Sequence, residues 1–275
     1  MEKIPSLERE KRVIITGGTE GIGRVITEEM LQQGNEVAVC ARTEEKIDEL
    51  KNTHNEINAY CVDLSDRHSA TDFVEKSIAD LGGVDVLILN AALDITRPEV
   101  KNEKGEIIEK AVTEEDVFKV NEVANVAISR SAQKTLAENG GTIVFMTSGT
   151  AHLADIPTAE AYQKSKREIE EWLSGFSERP GNENIKIFSV NPGSVDTRMH
   201  HNILESEDGP LKDRTKDLIK TGNLRDKNII GKIVSKMSLT GKKFNPETGK
   251  YDQEIKNCEV VRITDENIKF VSEKK

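Results

Sequence analysis

The chain predicts an α/β fold, a single doubly wound parallel sheet of about seven strands with helices on both faces. Two observations carry this expectation. Short, continuously apolar runs recur along the sequence, and nearly every one is followed by a segment of helical periodicity. At 275 residues the chain is long enough to bury a core as one domain, and no repeat, low-complexity linker or composition break divides it. Residues 1–275 are therefore expected to form one unit.

The elements follow in order. Val13–Thr16, Val37–Cys40 and Asn58–Val62 read as the first three strands, and Val86–Leu89, Thr142–Met146 and Lys186–Val190 as the next three. Cys258–Ile263 is the last plausible strand. Helical segments lie between them at Ile22–Gln33, Glu44–Lys51, Ser65–Leu81, Glu114–Ala137 and Ala161–Ser177, the first ended by Gly34. Continuous apolar strands joined by helices imply right-handed crossovers and a sheet covered on both sides. Pro98–Glu109 breaks the rhythm with Asn-Glu-Lys-Gly between β-prone flanks, which suggests a surface hairpin or long loop within an insertion over 94–112. Residues 198–225 suggest a helical lid. Beyond Gly231 the alternation weakens, so 232–275 reads as a divergent C-terminal region, with turn chemistry at Phe244–Lys250.

Charge and cysteine usage narrow the function classes. Lys plus Arg number 39 and Asp plus Glu 49, a net charge of −10, which disfavours sequence-independent binding to nucleic acid or to an anionic membrane. Met1–Arg12 has no apolar run that could serve as a signal peptide, and no stretch approaches a membrane span. Cys40, Cys61 and Cys258 lack metal spacing and are expected to be buried, reduced thiols in a cytoplasmic protein. His54, His68, His152, His200 and His201 form no metal-ligand pattern, with His152 and His200 placed to border a cleft.

The first strand runs into Thr16-Gly17-Gly18-Thr19-Glu20-Gly21-Ile22-Gly23, and a helix follows. Glycines here permit a tight turn, close approach of a pyrophosphate and close helix–strand packing, while the helix N-terminus offers amides to phosphate. The second signal is Tyr162-Gln163-Lys164-Ser165-Lys166. Four residues apart on a helix, the phenol and the ammonium face the same way. A nearby cation favours phenolate, making the tyrosine a proton-transfer group near neutrality.

With its glycines spaced G-x-x-x-G-x-G and Tyr-x-x-x-Lys after the fifth strand, the sequence resembles the short-chain dehydrogenase/reductase family over about Val13 to Thr197. The resemblance implies a Rossmann-like domain that moves hydride between a nicotinamide and a carbonyl or alcohol substrate. It assigns cofactor contacts to Gly17, Thr19, Glu20, Gly21, Ile22 and Gly23. Asp63 and Leu64 match the position that holds the adenine ring, although Asp63 could equally cap the following helix. Asn90-Ala91-Ala92 resembles the family's Asn-Ala-Gly, with Ala92 a departure. Asn191-Pro192-Gly193-Ser194-Val195-Asp196-Thr197 resembles its Pro-Gly-x-x-x-Thr, placing Pro192, Gly193, Val195 and Thr197 beside the nicotinamide.

The same resemblance gives a tetrad. Tyr162 exchanges the proton, Lys166 tunes it and binds the nicotinamide ribose, and Ser148 holds the substrate oxygen, with Thr147 and Thr150 as rivals. Asn121 ties a water chain to the lysine, the plainer account being an exposed helical Asn like Asn125. Ala41 stands where NAD-specific relatives place a carboxylate, and Arg42 follows it. A guanidinium pairs with a 2′-phosphate, so NADP(H) is favoured over NAD(H). An NAD-dependent alcohol dehydrogenase and a non-catalytic NADP(H) sensor are the alternatives. On the Tyr162 helix, Ile169, Trp172, Leu173 and Phe176 continue an apolar face, whereas Lys164, Arg167, Glu168, Glu170 and Glu171 charge the other. Packing two such charged faces together is costly, so a monomer or a dimer formed elsewhere is expected rather than the family's tetramer.

Overall fold

The computed structural model describes residues 10–94, 100–102, 104–109, 111–156, 159–205 and 209–273. Its strands are β1 (Arg12–Thr16), β2 (Glu36–Ala41), β3 (Asn58–Cys61), β4 (Val86–Leu89), β5 (Val100–Lys101), β6 (Ile107–Glu109), β7 (Thr142–Met146), β8 (Lys186–Asn191), β9 (Lys242–Asn245), β10 (Lys250–Glu254) and β11 (Glu259–Arg262). Seven of them form one sheet in the order β11-β8-β7-β4-β1-β2-β3, parallel throughout. The order reverses between β1 and β4, so the crossovers leave a crevice at the carboxyl ends of those strands.

Alternation along each strand builds the two faces. Ile14, Ala38, Leu87, Ile143 and Ile187 point to one core, and Val13, Val37, Val86, Val144 and Phe188 to the other. The first core is covered by α3 (Arg67–Leu81), α5 (Ala124–Asn139) and α6 (Glu160–Ser177), and the second by α1 (Gly21–Gln32), α2 (Glu44–Thr53) and α9 (Lys227–Thr240). The remaining helices are α4 (Glu114–Phe118), α7 (Arg198–Glu205), α8 (Pro210–Lys220) and α10 (Asp265–Glu273). The Rossmann-like fold expected from the sequence is the observed one.

Three differences from expectation have physical reasons. The Glu114–Ala137 segment is not one continuous α-helix: α4 passes into a π turn at Lys119–Val123 before α5 begins. Asp63 does not cap the third helix. Asp66 does, accepting from the amides of His68 and Ser69, while Asp63 accepts from Ser65 N at 2.9 Å in the preceding turn. The region after Gly231 is more regular than its composition suggests. There α9 packs Ile230, Ile233, Val234 and Met237 into the core, and a Cβ on Gly231 would lie 2.4 Å from Val25, so the glycine permits close approach to α1.

The cysteines also divide. Cys40 is buried, but Cys61 is exposed at the sheet edge and Cys258 is half-buried. The expected hairpin is β5 paired antiparallel with β6, while Ile95–Glu99 of the same insertion fall outside the described residues.

Candidate active site

A cleft of about 330 Å³ opens at the carboxyl ends of the strands. Its floor is the turn between β1 and α1. Gly17 and Gly21 adopt φ of +68° and +57°, a region L side chains rarely occupy. Gly23 serves a different need, because a Cβ there would sit 2.1 Å from Gly17 O. The turn is held to β2 by Gly17 N donating to Cys40 O at 2.9 Å, and from below by Thr27 Oγ1, which bonds Gly18 O and Gly23 O. Thr27 belongs to no motif in the sequence; its one signal there is a hydroxyl at a buried helical position beside the glycines. No side chain caps α1, leaving its first amides to a ligand.

Asn90 fastens the neighbouring strand end. Its Nδ2 donates to Thr16 O and Gly17 O at 3.0 and 3.1 Å, and Thr16 Oγ1 accepts from the amides of Asn90 and Ala91. Ala91, Ala92, Ile22, Thr19 and Leu64 line the same cleft, as do Ala41 and Arg42 at its outer end. Arg42 is exposed. Glu20 also faces this end, with its carboxylate 3.5 Å from Lys46 and 3.9 Å from Arg198. Asp63 does not line this cleft but borders a shallow neighbouring depression with Tyr60.

At the other end Tyr162 and Lys166 line the cleft together with Thr147, Met146, Pro192 and Thr197. Lys166 is 2% exposed, and its amine donates to Met146 O at 2.8 Å, 4.6 Å from the Phe145 ring centroid and 5.6 Å from that of Tyr162. Burial pushes Lys166 down to about 7 and Tyr162 up to about 12; a hydrogen bond from Ser148 draws the phenol back and Asp94 opposes it. The simple expectation that the lysine lowers the phenol is therefore not met in the ligand-free protein. Desolvation is the larger effect on both groups.

Ser148 Oγ lies 2.9 Å from Thr150 Oγ1 and accepts from Thr150 N. Of its rivals, Thr147 is nearly buried and Thr150 serves Ser148. Asn121, in the π turn, is fully buried rather than exposed, and Asn125, in the first turn of α5, is buried too. Asn121 Oδ1 accepts from Leu93 N at 2.8 Å, while its Nδ2 donates to Leu93 O and Ser165 Oγ. Its backbone carbonyl accepts from Asn125 Nδ2 at 2.7 Å. Asn121 thus braces the segment after β4 against α6.

The loop after β8 is held by Arg225, a residue that carries no motif in the sequence. Arg225 Nη1 donates to Pro192 O at 3.0 Å and to Ile263 O at 2.8 Å, while its Nη2 reaches Asp265 at 3.2 Å. Its backbone bonds Ser194 O and Asp196 N. Gly193, at φ +75°, passes where a Cβ would lie 2.7 Å from that guanidinium. Val195 is buried, bridged to Arg225, and Thr197 Oγ1 donates to Val195 O. Among the described residues no group of three or more His, Cys, Asp and Glu could hold a metal, and no helix is long and apolar enough to cross a membrane. His152 pairs with Glu170 at 3.1 Å, and His200 is half-buried on α7 with burial lowering its pKa.

The family model described as short chain dehydrogenase matches residues 11–208. The uncharacterized oxidoreductase YvrD of Bacillus subtilis is 32% identical over 192 residues, covering 67% of this chain and 68% of that protein. The hydroxynaphthalene reductase-like protein Arp2 of Metarhizium majus is 28% identical over 207 residues, covering 72% and 73%. Among solved structures, a short chain dehydrogenase of Burkholderia cenocepacia in complex with NADP superposes with a TM-score of 0.68 at 22% identity, covering 92% of this chain and 96% of that one.

Proposed function

The chain belongs to the short chain dehydrogenase family, NAD(P)-dependent oxidoreductases of CH–OH and C=O groups, and within it we propose an NADPH-dependent carbonyl reductase with Tyr162 as proton donor. The observation that carries the reading is the joint placement of Tyr162 and Lys166 on one wall of a cleft whose floor is the glycine turn. The residues fit a dinucleotide: the uncapped α1 terminus and the space left by Gly23 suit a pyrophosphate, and Arg42 beside Ala41 suits a 2′-phosphate. Glu20 does not counter this, because Lys46 and Arg198 both lie against its carboxylate. Leu64, Ala91 and Ala92 would pack along the adenosine side, with Asp63 just beyond it, while Pro192, Gly193, Val195 and Thr197 would border the carboxamide.

When bound, NADPH supplies the hydride. Tyr162 gives its phenolic proton to the substrate oxygen, and Ser148, whose hydroxyl draws the phenol pKa down, donates to the same oxygen and stabilises its developing charge. Lys166 holds positive charge beside Tyr162 and binds the ribose. Asn121, which braces Leu93 against α6, would tie a water chain to Lys166. The substrate is a small-molecule carbonyl or alcohol, and the charged face of α6 favours a monomer or a dimer formed through another surface.

NADPH consumption against a panel of aldehydes, ketones and quinones tests the reading. Tyr162→Phe is expected to lower turnover by orders of magnitude with little change in NADPH affinity, and wild-type turnover in that variant would reject the mechanism. Arg42→Ala is expected to weaken NADPH binding and leave NADH binding unchanged; equal effects on both would reject the cofactor preference.

A further inference from the structure

Three side chains of α6 grip the turn that follows β7. Gln163 Nε2 donates to Thr150 O at 2.7 Å, Arg167 Nη1 donates to Ala151 O at 3.1 Å, and Glu170 Oε2 meets His152 Nε2 at 3.1 Å. The first two satisfy backbone carbonyls and position the turn that begins at Ser148. Glu170 differs. Its side chain is only 12% exposed, and its second oxygen, Oε1, is buried without a hydrogen-bond partner among the described residues. Burying a carboxylate to hold a half-exposed histidine is costly, and a glutamine would bridge that contact without charge.

One helical turn from Glu170 stands Lys166, and residues four apart share a face. The Lys166 amine has the complementary need. It is a nearly inaccessible cation whose hydrogen-bond acceptor is a neutral carbonyl, Met146 O, and whose other neighbours are aromatic faces. The charged and titratable groups around this part of α6 are few. Arg167 is directed to Ala151 O and to Asp155 at 3.8 Å, and Lys164 and Glu168 pair on the outer face, where Glu168 also meets Glu122 of the π turn. Asp94, after β4, acts on Tyr162. Glu170 is the group that acts on Lys166, and it opposes the loss of its charge.

We propose that Glu170, aimed by His152, is the positioning residue that keeps Lys166 charged, the buried counter-ion of the amine beside Tyr162. The functional consequence rests on the reading of Tyr162 and Lys166 given above. His152 is half-exposed and reaches Glu170 from the same turn that carries Ser148, so the turn that orients the hydroxyl also orients the counter-ion. Any rearrangement of Gly149–His152 would therefore alter two parts of the site together.

The test separates this claim from the reading beneath it. In the cofactor-free protein carrying ¹³C-labelled lysine, the titration of Lys166, assigned by its absence in Lys166→Met, is followed by NMR in wild type, Glu170→Gln and Glu170→Asp. Glu170→Gln is expected to move the midpoint down by about one pH unit, with Glu170→Asp intermediate. The alkaline limb of kcat/KM for NADPH-dependent reduction, with the best compound of the carbonyl panel, is expected to move the same way. An unmoved midpoint overturns the proposal, as does an activity loss that is uniform across pH. His152→Ala, at a half-exposed position, gives the same measurement with a smaller shift should Glu170→Gln not fold; no shift there overturns the proposal too. Wild-type turnover in Tyr162→Phe would instead sink the catalytic reading, leaving the midpoint to judge the counter-ion.

Discussion

Lys166→Met should make the cofactor-free protein more stable while removing its turnover. The ordinary pKa of the amine is 10.5 and burial brings it to about 7. Between those values the unfolded chain holds a proton that the folded chain has released. Stability therefore rises with pH across about 7 to 10.5, and the cost of the buried charge is fully present below about pH 7. The interval of 3.5 units corresponds to about 5 kcal/mol. Methionine fills similar space without charge but leaves Met146 O without its donor, a loss of about 1 kcal/mol. The net expectation is a gain of about 4 kcal/mol at pH 6, falling to a loss of about 1 kcal/mol by pH 11. Urea denaturation of wild type and variant at pH 6, 8 and 10 reads the difference directly, and other titrating groups such as Tyr162 cancel between the two proteins. A difference that does not change with pH would refute the reasoning, because a purely steric or packing effect has no proton linkage.

Gly23→Ala should weaken NADPH binding at least about tenfold while circular dichroism stays that of wild type, because the added methyl meets Gly17 O where the turn must close. Undiminished affinity would show that the turn does not hold the cofactor. Arg225→Met should raise KM for NADPH severalfold and lower stability by about 2 kcal/mol, since Pro192 O and Ile263 O both lose their shared donor. A stability loss with unchanged KM would mean that the Pro192–Thr197 loop keeps its shape without that guanidinium. Light scattering is expected to show a monomer or dimer, and a stable tetramer would show that the charges on α6 are accommodated in an interface.

The parallel sheet was legible because its signal is local and redundant. The central strands are largely apolar, as at Val86–Leu89, and each glycine of the first turn answers a backbone constraint that no other residue meets as easily. Crossovers of one hand leave few alternatives to the doubly wound arrangement, whereas the register of β1 against β2 and β4 emerges only in the folded sheet. The C-terminal part was less legible for a physical reason. The apolar stripe of α9 begins at Ile229 and Ile230 and is interrupted by Gly231, which reads as a helix end in isolation but is a point of helix–helix contact in the fold. The π turn at Lys119–Val123 leaves no separate mark either; the family resemblance marks Asn121 as a site residue, but only its bonds to Leu93 and Ser165, and that of Asn125 to the Asn121 carbonyl, reveal that both side chains are buried.

The site shows a sharper division between what spacing can specify and what it cannot. Four-residue spacing is enough to place Tyr162 and Lys166 on one wall, because helix geometry fixes direction. It says nothing about the medium between them, and there the intuitive sign reverses: desolvation raises the phenol and lowers the amine, so that both neutral forms are favoured before any ligand arrives. A pair poised this way gains its ionised character from whatever else enters or borders the cleft. For the phenol, one such source is a cofactor bearing positive charge, which favours the phenolate though not the ammonium. Another is already in the chain one helical turn away, at Glu170. The same neutrality that makes Lys166 expensive to bury makes its charge responsive to a single neighbouring carboxylate, since in a dry site one counter-ion outweighs the many screened charges on the surface.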